Sequence, residues 1–292
     1  MPDSLSPSVP YARLDDRVVV RISGPDARHF LHNVVTCDVE TLGAGESRFG
    51  ALLTPQGKII SDFFLFAPAG RTDTLFMDAP RALAGELVKR LGMYRLRAKV
   101  EIEILDDLAV AARWGETALP EQAQIFADPR LPALGERILL PAANAPPGDP
   151  ASYETHRITL GVPKGGTDFA FGDTFPHEAN MDQLGGVDFK KGCYVGQEVV
   201  SRMQHRGTAR TRCVIATFAA APAEGAQIVA GDKSVGRIGS SRSGRAIALV
   251  RLDRAADARH AGLALMADGM EVAIEKPAWA AFDLDSGKPA GA

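Results

Sequence analysis

The chain has 292 residues, 46% hydrophobic and 24% charged, close to the soluble globular average, so wholesale disorder and low-complexity classes are excluded. At about 150 residues per domain, that length allows about two domains with a sizeable core. Lys and Arg total 33 against 36 Asp and Glu, a net charge of -3, so the chain as a whole has no bias toward nucleic acid or an anionic membrane. No apolar run reaches the ~18 residues of a membrane span.

The first ten residues, MPDSLSPSVP, lack a basic stretch followed by an apolar one and read as a proline-containing tail, so no secretory leader is expected. Arg17 to Ser23 is a β-branched strand. Ser23-Gly24-Pro25-Asp26 then carries helix-start chemistry, and Phe30, Leu31, Val34 and Val35 give the following helix one apolar face. Ser47 to Thr54 and Lys58 to Ala67 read as a hairpin around Pro55-Gln56-Gly57, and Thr74 to Met77 as a third strand. Pro80 opens an amphipathic helix with Leu83, Leu87, Val88 and Leu91 on one side and Gly92 as its stop. Lys99 to Leu105 alternates as a half-buried strand.

This order argues for an α+β fold with largely antiparallel sheets. Leu131 to Ser152 thickens in proline, glycine and alanine and reads as a loop or subdomain junction. Beyond Arg212, short strand-like runs (Cys213 to Ala219, Ala226 to Ala230, Val235 to Ser240, Ala246 to Leu252 and Met270 to Ile274) read as a small sheet or barrel. The expected organisation is a tail over 1–11, a body over 12–207 with a junction near 131–152, a C-terminal barrel over 208–285 and a tail over 286–292.

Three cysteines, Cys37, Cys193 and Cys213, are an odd number at wide spacings, which fits a reducing compartment; with no leader, the cytosol is expected. Three distant thiols without a C-x-x-C do not supply the four ligands of a conventional cluster or closed zinc site, so no stably bound metal is expected. Cys213 opens an apolar strand and Cys37 follows the first helix, both structural settings. Cys193 stands in GGVDFKKGCYVGQEVVSRMQHRG, where a helix is predicted from Val195 or Gly196 with Val199, Val200 and Met203 as its apolar face. A thiol at or just before a helix N-terminus, with Lys190 and Lys191 upstream, is placed to favour the thiolate. The competing reading is an ordinary buried thiol.

Other candidates are weaker. His177 and His205 are the histidines in sequence reach of a thiol-protease reading. His29 and His32, three apart, suit a shared metal in spacing but lack acidic or cysteine company in the immediate sequence, which leaves a surface or capping role. Gly161 to Thr167 lacks the lysine that a phosphate loop needs before Ser or Thr. Arg202 and Arg206, with His205, Arg210 and Arg212, form a local basic stripe that reads by default as a solvated helix face, with an anionic ligand tail or RNA as alternatives.

At Lys191-Gly192-Cys193-Tyr194-Val195-Gly196-Gln197-Glu198 the chain resembles the K-G-C-Y-x-G-Q-E signature of the YgfZ-type folate-binding proteins, iron-sulfur cluster assembly or repair factors related to the aminomethyltransferase T-protein. Gly24-Pro25-Asp26-Ala27, Leu53 to Lys58 and Tyr94-Arg95-Leu96-Arg97 support the resemblance, which covers about residues 12–285. It implies a T-protein-like body and C-terminal β-barrel around a central channel, and tetrahydrofolate or a derivative as ligand. It also implies an essential Cys193 acting as nucleophile or transient carrier, with Lys191, Gly192, Tyr194, Gly196, Gln197 and Glu198 as its motif partners.

Asp62 is the carboxylate expected at the pterin, and Arg202 and Arg206 are the cations expected at the rest of the ligand. The resemblance departs from the transferase at two points: Thr159 stands where the T-protein's folate-binding glutamate is expected, and Ser61-Asp62 offers one carboxylate where it has two. Threonine cannot act as a base. The expected function is therefore a folate-binding accessory factor for iron-sulfur assembly or repair, serving client or assembly proteins, with an aminomethyl transferase and an RNA-binding module as alternatives.

Overall fold

The computed structural model describes residues 10–207 and 209–284; the two expected tails lie outside the described residues except for Pro10 and Tyr11. Tyr11, assigned to a tail, instead opens a strand and is fully buried. The described residues divide into two compact units that interleave along the chain. The first takes Met1–Leu52, Ser61–Glu154 and Leu184–Val195; the second takes Leu53–Ile60, Thr155–Gln183 and Gly196–Ala292.

The first unit is built from β1 (Tyr11–Arg13), β2 (Arg17–Ser23), α1 (Ala27–His32), β3 (Ser47–Leu53), β4 (Ile59–Phe66), β5 (Thr74–Pro80), α2 (Ala84–Arg95), β6 (Glu101–Leu105), β7 (Leu108–Arg113), β8 (Gln124–Ala127) and β9 (Glu136–Pro141). One sheet has the order β3-β4-β5-β2-β6 and the other β1-β7-β9-β8. The valines of β2 suit a strand paired on both sides: it runs antiparallel to β5 and to β6, with Val18, Val19, Val20 and Ile22 buried. The turn between β3 and β4 turns on Gly57 at φ 82°, as the hairpin reading requires.

The helices differ from expectation at their ends. α1 stops at His32, with Asn33 as its C-cap and Val34 and Val35 buried beyond it. Asp26 stands at its N-cap without a capping bond; its carboxylate instead accepts the Lys99 amide at 2.8 Å. α2 passes through Gly92 and ends at Arg95, because Leu96 takes φ 46° at the C-cap and breaks the helix. Its buried residues are Ala84, Leu87 and Leu91. The stretch expected as a loop near 131–152 holds β9, whose Ile138, Leu139 and Leu140 are buried.

α3 (Pro150–Thr159) bridges the division, and the second unit continues through α4 (Gln197–Arg206), β10 (Thr211–Thr217), β11 (Gln227–Ala230), β12 (Lys233–Arg242), β13 (Arg245–Arg251), α5 (Leu252–His260), β14 (Met266–Ala267), β15 (Met270–Glu271) and β16 (Ala273–Glu275). The seven strands order as β15-β14-β11-β12-β13-β10-β16. The two end strands are separated in the chain by Val272 alone, so the sheet curls into a nearly closed barrel around Val214, Ile228, Ile238, Val250, Leu252 and Phe282. α5 has no counterpart in the sequence expectation, although Ala255, Ala256 and Ala258 are good helix formers and face the core.

Candidate functional site

Within the first unit, Thr36 draws the segment carrying Cys193 alongside the end of α1. Its hydroxyl donates to the Gly186 carbonyl at 2.6 Å and its carbonyl accepts the Asp188 amide at 2.9 Å. Asp188 then accepts the amides of Lys190 at 2.7 Å and Lys191 at 3.0 Å, an arrangement that fixes a turn. Lys191 clamps that turn to α1, its ammonium donating to the carbonyls of His32 and, at 2.8 Å, Val35. The same ammonium lies 5.0 Å from the centre of the Tyr194 ring. Gly192 and Cys193 are exposed at the tip, whereas Tyr194 is buried, its hydroxyl without a hydrogen-bond partner. Burial, helped by Asp188, pushes the Tyr194 phenol up to about 12.

Of the two lysines expected to flank Cys193, Lys191 is therefore spent elsewhere, while Lys190 is exposed. Burial lowers the Lys191 ammonium from its ordinary value, opposed by Cys37, Asp38, Asp188 and Glu40. α4 begins at Gln197 with Gly196 as its N-cap, so Cys193 stands three residues ahead of the cap rather than on it. The structure supplies a different neighbour. The His32 imidazole lies beside the turn, its Nδ1 3.1 Å from Asp38 Oδ1, and a Cβ built on Gly192 would meet His32 Nε2 at 3.9 Å. The sequence reading missed this pair because Asp38 comes level with His32 only after the chain reverses past Asn33.

The other thiols are structural, as expected. Cys37 is buried with its sulfur over Gly50, where an added Cβ would come within 2.6 Å of Sγ, and burial pushes its thiol up to about 12 despite the nearby Lys191 charge. Cys213 packs with Ile158 and Ile247 in the second unit, and burial raises its thiol well above the ordinary value.

The remaining motif residues and expected folate contacts are not gathered into one cluster within either unit. Gly196, Gln197 and Glu198 begin α4 in the second unit, where Glu198 pairs with Arg202 at 2.6 Å on the exposed face. Arg206 is exposed in the last turn of the same helix. Asp62, in the first unit, is buried and accepts Arg17 Nη1 at 3.4 Å, while Arg17 also grips Asp78 at 2.5 Å. Thr159 is exposed and donates to the Thr155 carbonyl at 2.8 Å, an ordinary helix back-bond.

The basic stripe does not form one surface. Arg212 is buried on Asp182 at 2.6 Å and on the His177 carbonyl at 2.7 Å. Beneath α4, His177 Nε2 lies 3.0 Å from Gln204 Oε1, and burial lowers its imidazole despite Asp182. Among the described residues no group of three or more His, Cys, Asp or Glu is arranged to hold a metal ion.

Residues 210–282 match the family model described as CAF17, C-terminal beta-barrel domain. The chain is 31% identical over 239 residues to the iron-sulfur cluster assembly factor IBA57 homolog, mitochondrial, of Neurospora crassa, a match covering 72% of this chain and 54% of that one. It is 31% identical over 229 residues to the mitochondrial IBA57 of Homo sapiens, covering 68% of this chain and 64% of that one. The chain thus spans about half to two thirds of the length of these relatives.

Among solved structures it is similar to the glycine cleavage system aminomethyltransferase T from Bartonella henselae, with a TM-score of 0.72 over 97% of this chain and 88% of that one, at 15% identity. That likeness is one of fold, and it bears out the expected T-protein-like α+β architecture with a C-terminal barrel. The cytosolic expectation is corrected: these relatives are named mitochondrial. An odd set of unpaired thiols marks a reducing environment and does not distinguish the cytosol from an organelle interior. The chain is thus similar to IBA57-type proteins over 68–72% of its length, shares the T-protein fold and carries a CAF17-type C-terminal barrel domain over residues 210–282.

Proposed function

We propose that this chain is an iron-sulfur cluster assembly factor that acts through the thiol of Cys193, serving assembly or client proteins of the cluster pathway. The assembly role draws on what the IBA57 relatives are named for. The observation that carries the role of Cys193 is contrast: of three free cysteines, Cys37 and Cys213 are sealed in the core while Cys193 alone is exposed. It sits at the tip of a turn pinned by Asp188 from within and by Lys191 to α1. A thiol presented on a fixed turn can meet a protein-bound partner without rearrangement of its support.

A reduced folate was expected as ligand. The two groups best suited to it are engaged, Asp62 by Arg17 and Arg202 by Glu198. No step of the proposal runs through folate. Thr159, where the resemblance expects a glutamate, cannot act as a base, which favours the assembly reading over the transferase one. The test is replacement of the wild-type chain in cells by Cys193→Ala, with Cys37→Ala as control. Cluster-dependent enzymes are expected to lose activity with the first variant and retain it with the second; full activity with Cys193→Ala contradicts the proposal.

A further inference from the structure

We infer that the outer face of the barrel carries a binding site for a diphosphate group, free or borne by a small molecule, built from Arg237, Arg251 and Arg254. The site lies wholly within the second unit and is independent of Cys193. It is a cavity of about 360 Å³, at the small end of ligand sites. Strand pairing brings its cations together. Arg237 of β12 stands opposite Leu249 of β13, and Leu249 and Arg251 are two apart on β13, so the three side chains leave the same face of the sheet. The alternate residues of β13, Ala248 and Val250, fill the barrel core, which makes that face the outer one. Arg254 reaches the same cavity from α5, its Nη1 donating to the Ser234 carbonyl at 2.7 Å.

The charge in this cavity is unbalanced. The described residues that line it include three arginines and no aspartate or glutamate. Just outside, Asp253 accepts Arg251 Nε at 2.9 Å and Nη2 at 2.7 Å and lies 3.8 Å from the exposed Arg210, so one carboxylate serves two cations. Glu178, the other acid whose charge reaches Arg251, accepts the Phe175 amide at 2.8 Å. Arg237 and Arg254 have no carboxylate partner among the described residues. Arg237 is half-buried, and its Nη2 donates only to the Asp168 carbonyl, at 3.5 Å, the outer limit of a hydrogen bond. A half-buried guanidinium without a counter-charge keeps its other N–H groups for an anion, and its planar fork suits paired phosphate oxygens. Guanidiniums from three elements around one cavity match the many oxygens of a diphosphate better than a single carboxylate. Single-stranded RNA fits less well, because no aromatic side chain lines the cavity to stack on bases.

The test is isothermal titration calorimetry of the full chain at pH 7 and low salt, with inorganic pyrophosphate and, separately, ADP. Pyrophosphate is expected to bind at one site per chain. ADP binding as well assigns the group to a nucleotide, and pyrophosphate alone assigns it to the free anion; both outcomes support the site. Arg237→Gln and Arg254→Gln are each expected to weaken binding about tenfold, while Arg242→Gln, exposed at the far end of β12, leaves it unchanged. Circular dichroism reports whether each variant folds; if Arg237→Gln does not, Arg254→Gln decides, since that side chain is exposed. No binding of either ligand by the folded chain overturns the inference. So does an equal loss in Arg242→Gln, which would mark general charge attraction, or binding of an RNA oligonucleotide at these arginines without binding of pyrophosphate.

Discussion

Gly192 and Gly196 stand four residues apart in one motif and answer to different constraints. Gly196 has φ 79°, and a Cβ there would fall 2.4 Å from the Thr54 carbonyl oxygen. Gly196→Ala therefore combines left-handed strain with a backbone clash and is expected to cost about 1–3 kcal/mol or more. Gly192 has no such conformation, and its added methyl would only touch His32 at ordinary contact distance. Gly192→Ala is expected to stay within about 0.5 kcal/mol of wild type. Urea denaturation of the two variants checks the contrast, and equal destabilisation would contradict it. Both glycines were legible as motif members, but which one the backbone requires was not, because the carbonyl that excludes a side chain belongs to Thr54, far away in sequence.

At the scale of elements, the first unit holds its two sheets with a buried charge network. Arg17 of β2 and Arg137 of β9 both reach Asp78 of β5, at 2.5 and 3.0 Å, and Asp128 after β8 takes Arg130 at 2.7 Å and Arg137 at 3.3 Å. The Tyr153 hydroxyl of α3 accepts from both Arg130 and Arg137, and the Arg137 guanidinium lies 4.1 Å from the Phe64 ring centre. Removing one charge leaves its partners buried and unpaired, so Asp78→Asn is expected to cost about 3–5 kcal/mol by urea denaturation; a change under about 1 kcal/mol would mean the network is dispensable.

Burial raises the Asp128 carboxyl, but the Arg130 and Arg137 charges outweigh it and hold the group below its ordinary value. A carboxyl lower in the folded than in the unfolded chain stabilises above about pH 4 and loses that contribution as pH falls through the folded value. Stability is thus expected to drop below about pH 4, with a shallower drop in Asp128→Asn; identical acid curves for the two would contradict this.

These charges lie in runs such as IISDFFLF and TLFMDAP, which read as strands from their apolar residues. Their pairing was hidden because partners sit 59 and 61 residues apart for Asp78. Hairpin chemistry at Pro55-Gln56-Gly57 is local and was readable; the end of α2 was not, since Leu96 rather than Gly92 breaks the helix.

At the scale of the molecule, the fold and the barrel are shared with an aminomethyltransferase, while Thr159 stands where the resemblance expects a glutamate. Purified chain supplied with tetrahydrofolate and an aminomethylated lipoyl carrier is expected to yield no methylenetetrahydrofolate; turnover would reverse that conclusion. What distinguishes this chain is the presentation of one thiol out of three. Competitive alkylation of the native protein at pH 7, resolved residue by residue, tests this most directly. Cys193 is expected to be labelled in the folded protein, while Cys37, buried and pushed up to about 12, and Cys213 stay unlabelled. A Cys193 that reacts only after the protein unfolds, or a Cys37 or Cys213 that reacts as readily in the folded protein, would contradict the account.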